Sequence, residues 1–101
     1  MTTGDFKPFQ IRDITIDPPL ALAPMAEVTD TYYRSLVKEL GGVGLVVSEF
    51  ISAEGLTRNN QRSKEMLTFS ENERPVAIQI YGGDPERMDD AAAIVEDQGV
   101  D

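Results

Sequence analysis

Apolar residues along the chain fall into three short runs, and the first and the third are each followed by a stretch with helical spacing. The first run, residues 20–23, is continuous and bounded by prolines, which predicts a strand buried on both faces. The second begins at Val43 and predicts a strand that ends near Glu49, and the third covers residues 76–81. The chain is therefore predicted to alternate strands with helices.

Two of the helices have recognisable ends in the sequence. Thr29 or Asp30 can cap the first helix, and the two glycines after Leu40 close it. Asp84 is typical of the cap of the last helix, and the proline that follows is typical of its first residue. Both helices are thus predicted from local chemistry as well as from spacing.

The remaining segments extend this pattern to three strand-helix units. Residues 52–70 are less regular, which predicts a long loop with one short helix around residues 62–67. Val100 is interpreted as the start of a fourth strand. The alternation predicts an α/β fold with a parallel sheet, comprising a lead-in or hairpin over residues 1–19 and an incomplete domain over residues 20–101. The lead-in carries the loosely alternating apolar residues Phe6, Phe9, Ile11, Ile14 and Ile16.

An open sheet edge is the main consequence of this organisation. Parallel sheets in proteins normally have both faces covered, and three parallel strands alone leave an edge unpaired. We therefore expect the chain to be a fragment of a larger sheet.

Composition narrows the chemistry that the chain itself can perform. Its 101 residues include neither cysteine nor histidine, which removes disulfides, thiolate ligands and the commonest general base. Catalysis would rest on carboxylates, lysine, tyrosine or a bound cofactor, and we expect no metal site. No stretch has the apolar length of a signal peptide or of a membrane-spanning helix, so we expect a cytoplasmic protein without membrane contact.

The formal charge of −9 argues, as an average, against nucleic-acid binding, but the charge is unevenly distributed. Acidic residues dominate from Glu71 onward, where the ordinary interpretation is a solvated helix face. Arg58, Arg62 and Lys64 lie close together in the predicted loop. They form either a solvated basic loop or a surface that contacts RNA phosphate.

Three segments follow the predicted strands at their carboxyl ends, where parallel α/β proteins bind ligands. The first contains Pro24, Met25 and Ala26, a turn whose small residues and polarisable sulfur suit a planar ring. The simpler interpretation is that Met25 fills the core. The three segments are residues 24–30, 49–55 and 79–84.

Gln79 and Glu49 are the candidate polar residues of the other two segments. Gln79 lies within an apolar strand, and its carboxamide can bind the imide or carbonyl edge of a ligand or pair with a neighbouring strand. Glu49 is either a site residue or the partner of a base that lines the barrel. Residues 82–85 lack the lysine and the third glycine of nucleotide-binding loops, so they indicate a turn and a helix cap.

Several blocks of the chain together resemble one enzyme family. Residues 22–30, LAPMAEVTD, resemble the motif LAPMAGVTD that opens bacterial-type tRNA-dihydrouridine synthases, and the match is collinear from about Leu20 to Asp101. A series of matched blocks is more specific than any single one. The other blocks are residues 44–49, 52–56, 76–82 and 84–86.

The resemblance implies the first three βα units of a (β/α)8 TIM barrel that binds FMN, with a small helical domain after the barrel. Such enzymes reduce the C5–C6 double bond of uridine in tRNA with electrons from NADPH, and we expect a monomeric parent protein. Pro24, Met25 and Ala26 match the segment that lines the flavin, and Gln79 matches the glutamine that hydrogen-bonds it. The candidate substrate-binding residues are Glu49, Arg58, Arg62 and Lys64.

Two departures from the family pattern affect these expectations. Glu27 stands where the family has glycine, which adopts positive φ more readily than other residues do. The family's Asn-x-Gly-Cys-Pro segment, which supplies the catalytic cysteine, would begin after Asp101, so we expect no catalytic residue in this chain and no activity from it alone. Two alternatives stay open: another FMN barrel acting on a small molecule, such as a dihydroorotate or enoate reductase, or an inactive piece that self-associates through its sheet edge.

Overall fold

The computed structural model describes residues 7–101, and Phe6 of the predicted lead-in lies outside the described residues. Two strands, β1 (Phe9–Ile11) and β2 (Ile14–Ile16), form an antiparallel hairpin. Ile16, the last residue of the hairpin, is only 1% exposed. Full burial of an isoleucine side chain contributes about 1.5–3 kcal/mol, so this residue anchors the hairpin to the rest of the fold.

Five short strands follow in two parallel sheets. β3 (Ala21–Leu22), β4 (Leu45–Val47) and β6 (Val76–Ala77) form a sheet in the order β3-β4-β6. β5 (Ile51–Ser52) and β7 (Ile80–Tyr81) form a second parallel pair. The predicted α/β class with parallel strands is confirmed, whereas the division at residue 19 and the number of barrel units stay predictions.

The predicted strands are wrong in two respects. The second and third strands each divide into two, because the ladder between them is interrupted at Ser48 and Gln79. The first strand is not buried on both faces: Leu20 beside it is 48% exposed. Within β3 itself, Ala21 is exposed and Leu22 is half-buried.

Two further segments also differ from prediction. The predicted long loop contains two short helices, α2 (Ala53–Thr57) and α3 (Gln61–Glu65), rather than one. Each of them starts at a capping side chain, which the irregular apolar pattern did not reveal. Val100 does not begin a strand; instead, the Asp101 carboxylate accepts a hydrogen bond from the backbone N–H of Val76 at 3.1 Å.

The two longer helices begin and end where local chemistry predicts. α1 (Thr31–Leu40) is capped by the side chain of Asp30 and ends at Gly41, whose φ is 79°. Such a left-handed residue at a helix end favours glycine. α4 (Pro85–Asp97) is capped by Asp84 and starts with proline, which confirms the interpretation of this segment as a turn and a cap.

The apolar core lies between α2, α4 and the β5-β7 pair. α1 lies outside it, and Tyr32 and Leu40 on that helix are 81% and 77% exposed. No helix within residues 7–101 is both long and apolar enough to cross a membrane. The fully or largely buried core residues are Ile51, Ala53, Leu56, Leu67, Ala91 and Val95.

Gly44 marks a close approach between the lead-in and the first sheet. A Cβ atom at this position would overlap the carbonyl oxygen of Pro18 and lie 2.6 Å from the backbone nitrogen of Asp17. Glycine is therefore required at position 44 for space rather than for φ.

The Gly44 carbonyl also joins this segment to α1. It accepts a hydrogen bond from the Lys38 ammonium at 3.2 Å, and burial lowers the pKa of that ammonium.

Candidate functional site

Three predicted site residues follow neighbouring strands of the same sheet. Met25 lies three residues after β3, Glu49 two residues after β4, and Gln79 two residues after β6. These strands are adjacent and parallel, so their carboxyl ends lie at one edge of the sheet. The structure thus places the three residues at the edge where α/β proteins bind ligands.

The turn that contains Met25 is held together by its own hydrogen bonds. The Met25 carbonyl accepts hydrogen bonds from the backbone N–H groups of Val28 and Thr29 at 3.1 and 3.0 Å. The Thr29 hydroxyl in turn accepts a bond from the Met25 N–H at 2.8 Å. Thr29 is 1% exposed and Met25 is 57% exposed, so the turn buries its threonine and presents its methionine. Met25 therefore does not fill the core formed by residues 7–101.

Glu27 occupies the left-handed region within this turn, with φ of 66°. This conformation is costly for residues with a Cβ atom and costs glycine almost nothing. It gives a physical reason for the glycine at this place in the motif that the chain resembles. The cost of Glu27 is a strain that the surrounding hydrogen bonds must offset.

We expect Glu27→Gly to raise the free energy of unfolding by about 1 kcal/mol, because it relieves left-handed strain that costs about 1–2 kcal/mol while making the unfolded chain more flexible. Urea denaturation of the two proteins would measure the difference. The same exchange at Glu39, an exposed position in α1, is the matched control and should be destabilising by up to about 1 kcal/mol. Destabilisation by Glu27→Gly would contradict the strain.

A buried ion pair lies behind the turn. Arg34 Nε is 2.6 Å from Glu73 Oε1, and the two side chains are 3% and 0% exposed. The other guanidinium nitrogens donate to the carbonyl oxygens of Thr29 and Thr68, each at 3.0 Å. Glu73 Oε2 accepts from the Ser70 N–H at 2.7 Å. The pair therefore ties the end of the turn to the segment that leads into β6.

Two consecutive residues after β4 connect the three strand ends. The Ser48 hydroxyl accepts a hydrogen bond from the Gln79 N–H at 3.0 Å. Glu49 Oε1 accepts one from the Val28 N–H at 3.1 Å. The Gln79 side chain itself is exposed, so its carboxamide is accessible at the sheet edge.

A cleft of about 680 Å³ adjoins the turn, and among the predicted substrate-binding residues it is lined by Glu49 and Arg62. Arg58 and Lys64 do not contribute to its lining; Arg58 pairs with Glu54 on the surface, where Nε and Oε1 are 3.0 Å apart. The structure therefore brings Arg62 beside the turn but does not gather the three cations there. The carboxylates in the lining are Glu27, Asp30, Glu49 and Glu65.

Arg34, Glu73 and Ser48 were not identified as site residues from the sequence. Each acts through a partner more than 30 positions away, and no local spacing signals such a contact. For Ser48, the available signs were its place after an apolar run and its inclusion in the matched block of residues 44–49. Within residues 7–101, no group of three or more His, Cys, Asp and Glu side chains is arranged to hold a metal ion.

Comparison with known proteins gives consistent matches over most of the chain. It is 40% identical over 83 residues to tRNA-dihydrouridine synthase B of Pseudomonas syringae pv. tomato, a match that covers 82% of this chain and 24% of that protein. It is 39% identical over 93 residues to a probable tRNA-dihydrouridine synthase of Rhodobacter capsulatus, covering 90% of this chain and 28% of that relative.

A third relative is the tRNA-dihydrouridine(20/20a) synthase of a Synechocystis species, at 35% identity over 82% of this chain and 24% of the relative. The chain therefore spans about a quarter of the length of the curated relatives that it matches. The family model described as Dihydrouridine synthase (Dus) matches residues 21–101, a range that includes the turn, Ser48, Glu49 and Gln79. The chain belongs to the dihydrouridine synthase family.

Proposed function

We propose that the whole protein is a tRNA-dihydrouridine synthase that uses FMN and NADPH, and that residues 21–101 supply one wall of its flavin site. Family membership and the names of the relatives support tRNA uridine as the substrate. The parallel strands support the opening part of a (β/α)8 barrel as the setting of the site. We further propose a soluble, cytoplasmic, monomeric enzyme.

The single observation that carries this proposal is the connected edge formed by the turn, Glu49 and Gln79. It combines an exposed thioether, small side chains in Pro24 and Ala26, and an exposed carboxamide. A flat ring system with an apolar face and a polar edge needs this combination. The residues present therefore fit an isoalloxazine ring.

The chemistry of the residues in this wall follows from their types. When bound, FMN would carry electrons from NADPH to the C5–C6 bond of uridine. Met25 would contact the apolar face of the ring, and Gln79 would both donate to and accept from its polar edge. The internal bonds of the turn keep Met25 in place before the ring binds, so less conformational entropy is lost on binding.

For tRNA, we propose that Arg62 and Lys64 contact phosphate near the cleft. Both side chains are exposed, and Arg62 lines the cleft beside the turn. Arg58 is also exposed, but its partial neutralisation by Glu54 makes it the weakest of the three candidates. Glu49 accepts a backbone hydrogen bond, so a substrate contact by Glu49 would use its second oxygen.

We expect Gln79→Ala in the whole protein to weaken FMN binding by about tenfold, since the loss of one ring hydrogen bond costs about 1–1.5 kcal/mol. Titration with FMN, followed by flavin absorbance or fluorescence, would measure the dissociation constant. Gln98→Ala is the matched control, because Gln98 is exposed at the end of α4 and does not line the cleft beside the turn. Equal weakening by both changes would contradict a specific role for Gln79.

The activity itself is tested with tRNA, FMN and NADPH, with dihydrouridine measured by mass spectrometry of the digested tRNA. We expect the whole protein to form dihydrouridine and residues 1–101 alone to form none, since the family's cysteine segment is not among them. Reduction of dihydroorotate-type or enoate substrates instead of tRNA would favour a small-molecule reductase. Absence of flavin binding and of dihydrouridine from the whole protein would overturn the proposal.

A further inference from the structure

The pairing between the strands that lead to Glu49 and Gln79 changes register by one residue. Val47 pairs with Ala77, 30 positions further along the chain, whereas Ile51 pairs with Ile80, 29 positions further along. One extra residue therefore lies on the strand side that carries Glu49. This is the arrangement of a β-bulge, a feature that redirects side chains and is common beside active sites.

Ser48 supplies hydrogen bonds that continue the pairing between the two strands at this bulge. Its own N–H donates to the Ala77 carbonyl at 2.9 Å, as a regular strand residue would. Its hydroxyl then accepts the Gln79 N–H at 3.0 Å, in the place of a backbone carbonyl, and donates to the Glu49 carbonyl at 2.8 Å. Ser48 is 1% exposed, so these bonds are shielded from water.

Gln79 is consequently fixed on both sides of its Cα atom. Ser48 holds its N–H, and the Ile51 N–H donates to its carbonyl at 2.8 Å. The direction of the Cα–Cβ bond is thereby set, although the carboxamide at the end of the side chain is exposed. A polar side chain with a fixed base and an accessible head is suited to bind a ligand without prior rearrangement.

Glu49 holds the turn that contains Met25, as Ser48 holds Gln79. Its Oε1 atom accepts the Val28 N–H at 3.1 Å, across 21 residues of sequence. Val28 also donates from the same N–H to the Met25 carbonyl, so Glu49 and the internal bonds of the turn converge on one group. A carboxylate acceptor makes this contact stronger than a neutral one would be.

We propose that Ser48 and Glu49 are positioning residues of the flavin site: the Ser48 hydroxyl orients Gln79, and the Glu49 carboxylate holds the turn that presents Met25. This inference rests on the proposed function, because it assumes that Met25 and Gln79 contact flavin. It assigns to the bulge the task of joining two ligand-binding segments that are more than 50 residues apart in sequence. Neither residue needs to touch the ring itself.

The Ser48 part is tested with Ser48→Thr and Ser48→Val, which have nearly the same shape and differ in the hydroxyl. We expect the Val variant of the whole protein to bind FMN about tenfold more weakly than the Thr variant, as the loss of one hydrogen bond allows. In a Gln79→Ala background the difference between the two variants should vanish. A difference that persists there would show that Ser48 does not act through Gln79 and would overturn this assignment.

The Glu49 part is tested with Glu49→Gln, which keeps an acceptor oxygen, and Glu49→Ala, which does not. We expect the Gln variant to bind FMN about tenfold more tightly than the Ala variant. We also expect the visible absorption band of bound flavin to shift only in the Ala variant, since a displaced turn changes the surroundings of the ring. Equal affinities and spectra for the two would overturn the role of Glu49.

Different results would overturn the proposed function and the positioning roles of Ser48 and Glu49. A wild-type protein that binds no FMN overturns the proposed function and, with it, the positioning roles. A wild-type protein that binds FMN, together with Ser48→Val and Glu49→Ala variants of unchanged affinity, overturns the positioning roles alone. The melting temperature of every variant is measured as a control for stability. A purely structural role of Ser48 or Glu49 would lower the melting temperature and leave the dissociation constant for FMN unchanged.

Discussion

Replacing Glu73 with alanine is expected to lower the free energy of unfolding by about 3–5 kcal/mol, the range measured when one partner of a buried ion pair is removed. The change leaves the Arg34 guanidinium charged in a site where the two side chains are 3% and 0% exposed. It also leaves the Ser70 N–H without its acceptor. Urea denaturation of the whole protein, followed by circular dichroism, would measure the loss.

The control for this change is the surface pair of Glu54 and Arg58. Its atoms are 3.0 Å apart, but the side chains are 61% and 64% exposed, so Glu54→Ala should cost no more than about 1 kcal/mol. If Glu73→Ala does not fold, Glu73→Gln keeps the size of the side chain and one of its two acceptor oxygens, and should lose less than the alanine variant. Similar losses at Glu54 and Glu73 would contradict the special role of the buried pair.

Replacing Gly44 with alanine is expected to cost about 1–3 kcal/mol, as overpacking of a filled interior does. The added methyl group would meet the backbone of Asp17 and Pro18, and backbone atoms cannot rotate away as a side chain can. The residues before β3 would have to move, and with them the hairpin that Ile16 anchors. Limited proteolysis of the hairpin and the unfolding free energy would both report this movement.

Gly42→Ala is the matched control for Gly44→Ala. A Cβ atom on Gly42 meets nothing within 4 Å, so its replacement should change the unfolding free energy by no more than about 0.5 kcal/mol. The two glycines are separated by a single residue and differ mainly in the space around them. Equal effects of the two substitutions would show that the close approach at Gly44 does not constrain the fold.

Local chemistry was enough to predict the ends of the two longer helices, α1 and α4, and the candidate turn. The caps at Asp30 and Asp84 use side chains that bind the backbone two or three residues away, so their evidence is contained in a few letters of sequence. The exposure of Met25 was not predicted from the residues alone, because the simpler interpretation placed this side chain in the core. The caps and the turn could be predicted because each depends on residues that are close neighbours in the chain.

The interrupted strands and the hidden ion pair could not be predicted in this way. Ser48 and Gln79 are 31 residues apart in sequence, and Arg34 and Glu73 are 39 residues apart. Contacts at such separations produce no periodic pattern of apolar and polar residues. Continuous apolar runs predicted continuous strands, whereas a one-residue difference in register broke both. The burial of Arg34 in a helix with exposed apolar residues runs against ordinary amphipathic patterning.

The contacts of Arg34 have a consequence for protein engineering. One guanidinium holds the carbonyl of Thr29 at the end of the turn and that of Thr68 in a distant segment, while Glu73 fixes its orientation. Grafting the nine-residue LAPMAEVTD motif onto another barrel would leave these supports behind. The smallest portable unit of this wall therefore joins the motif with Arg34, with the Ser48-Glu49 pair and with the segment from Thr68 to Glu73.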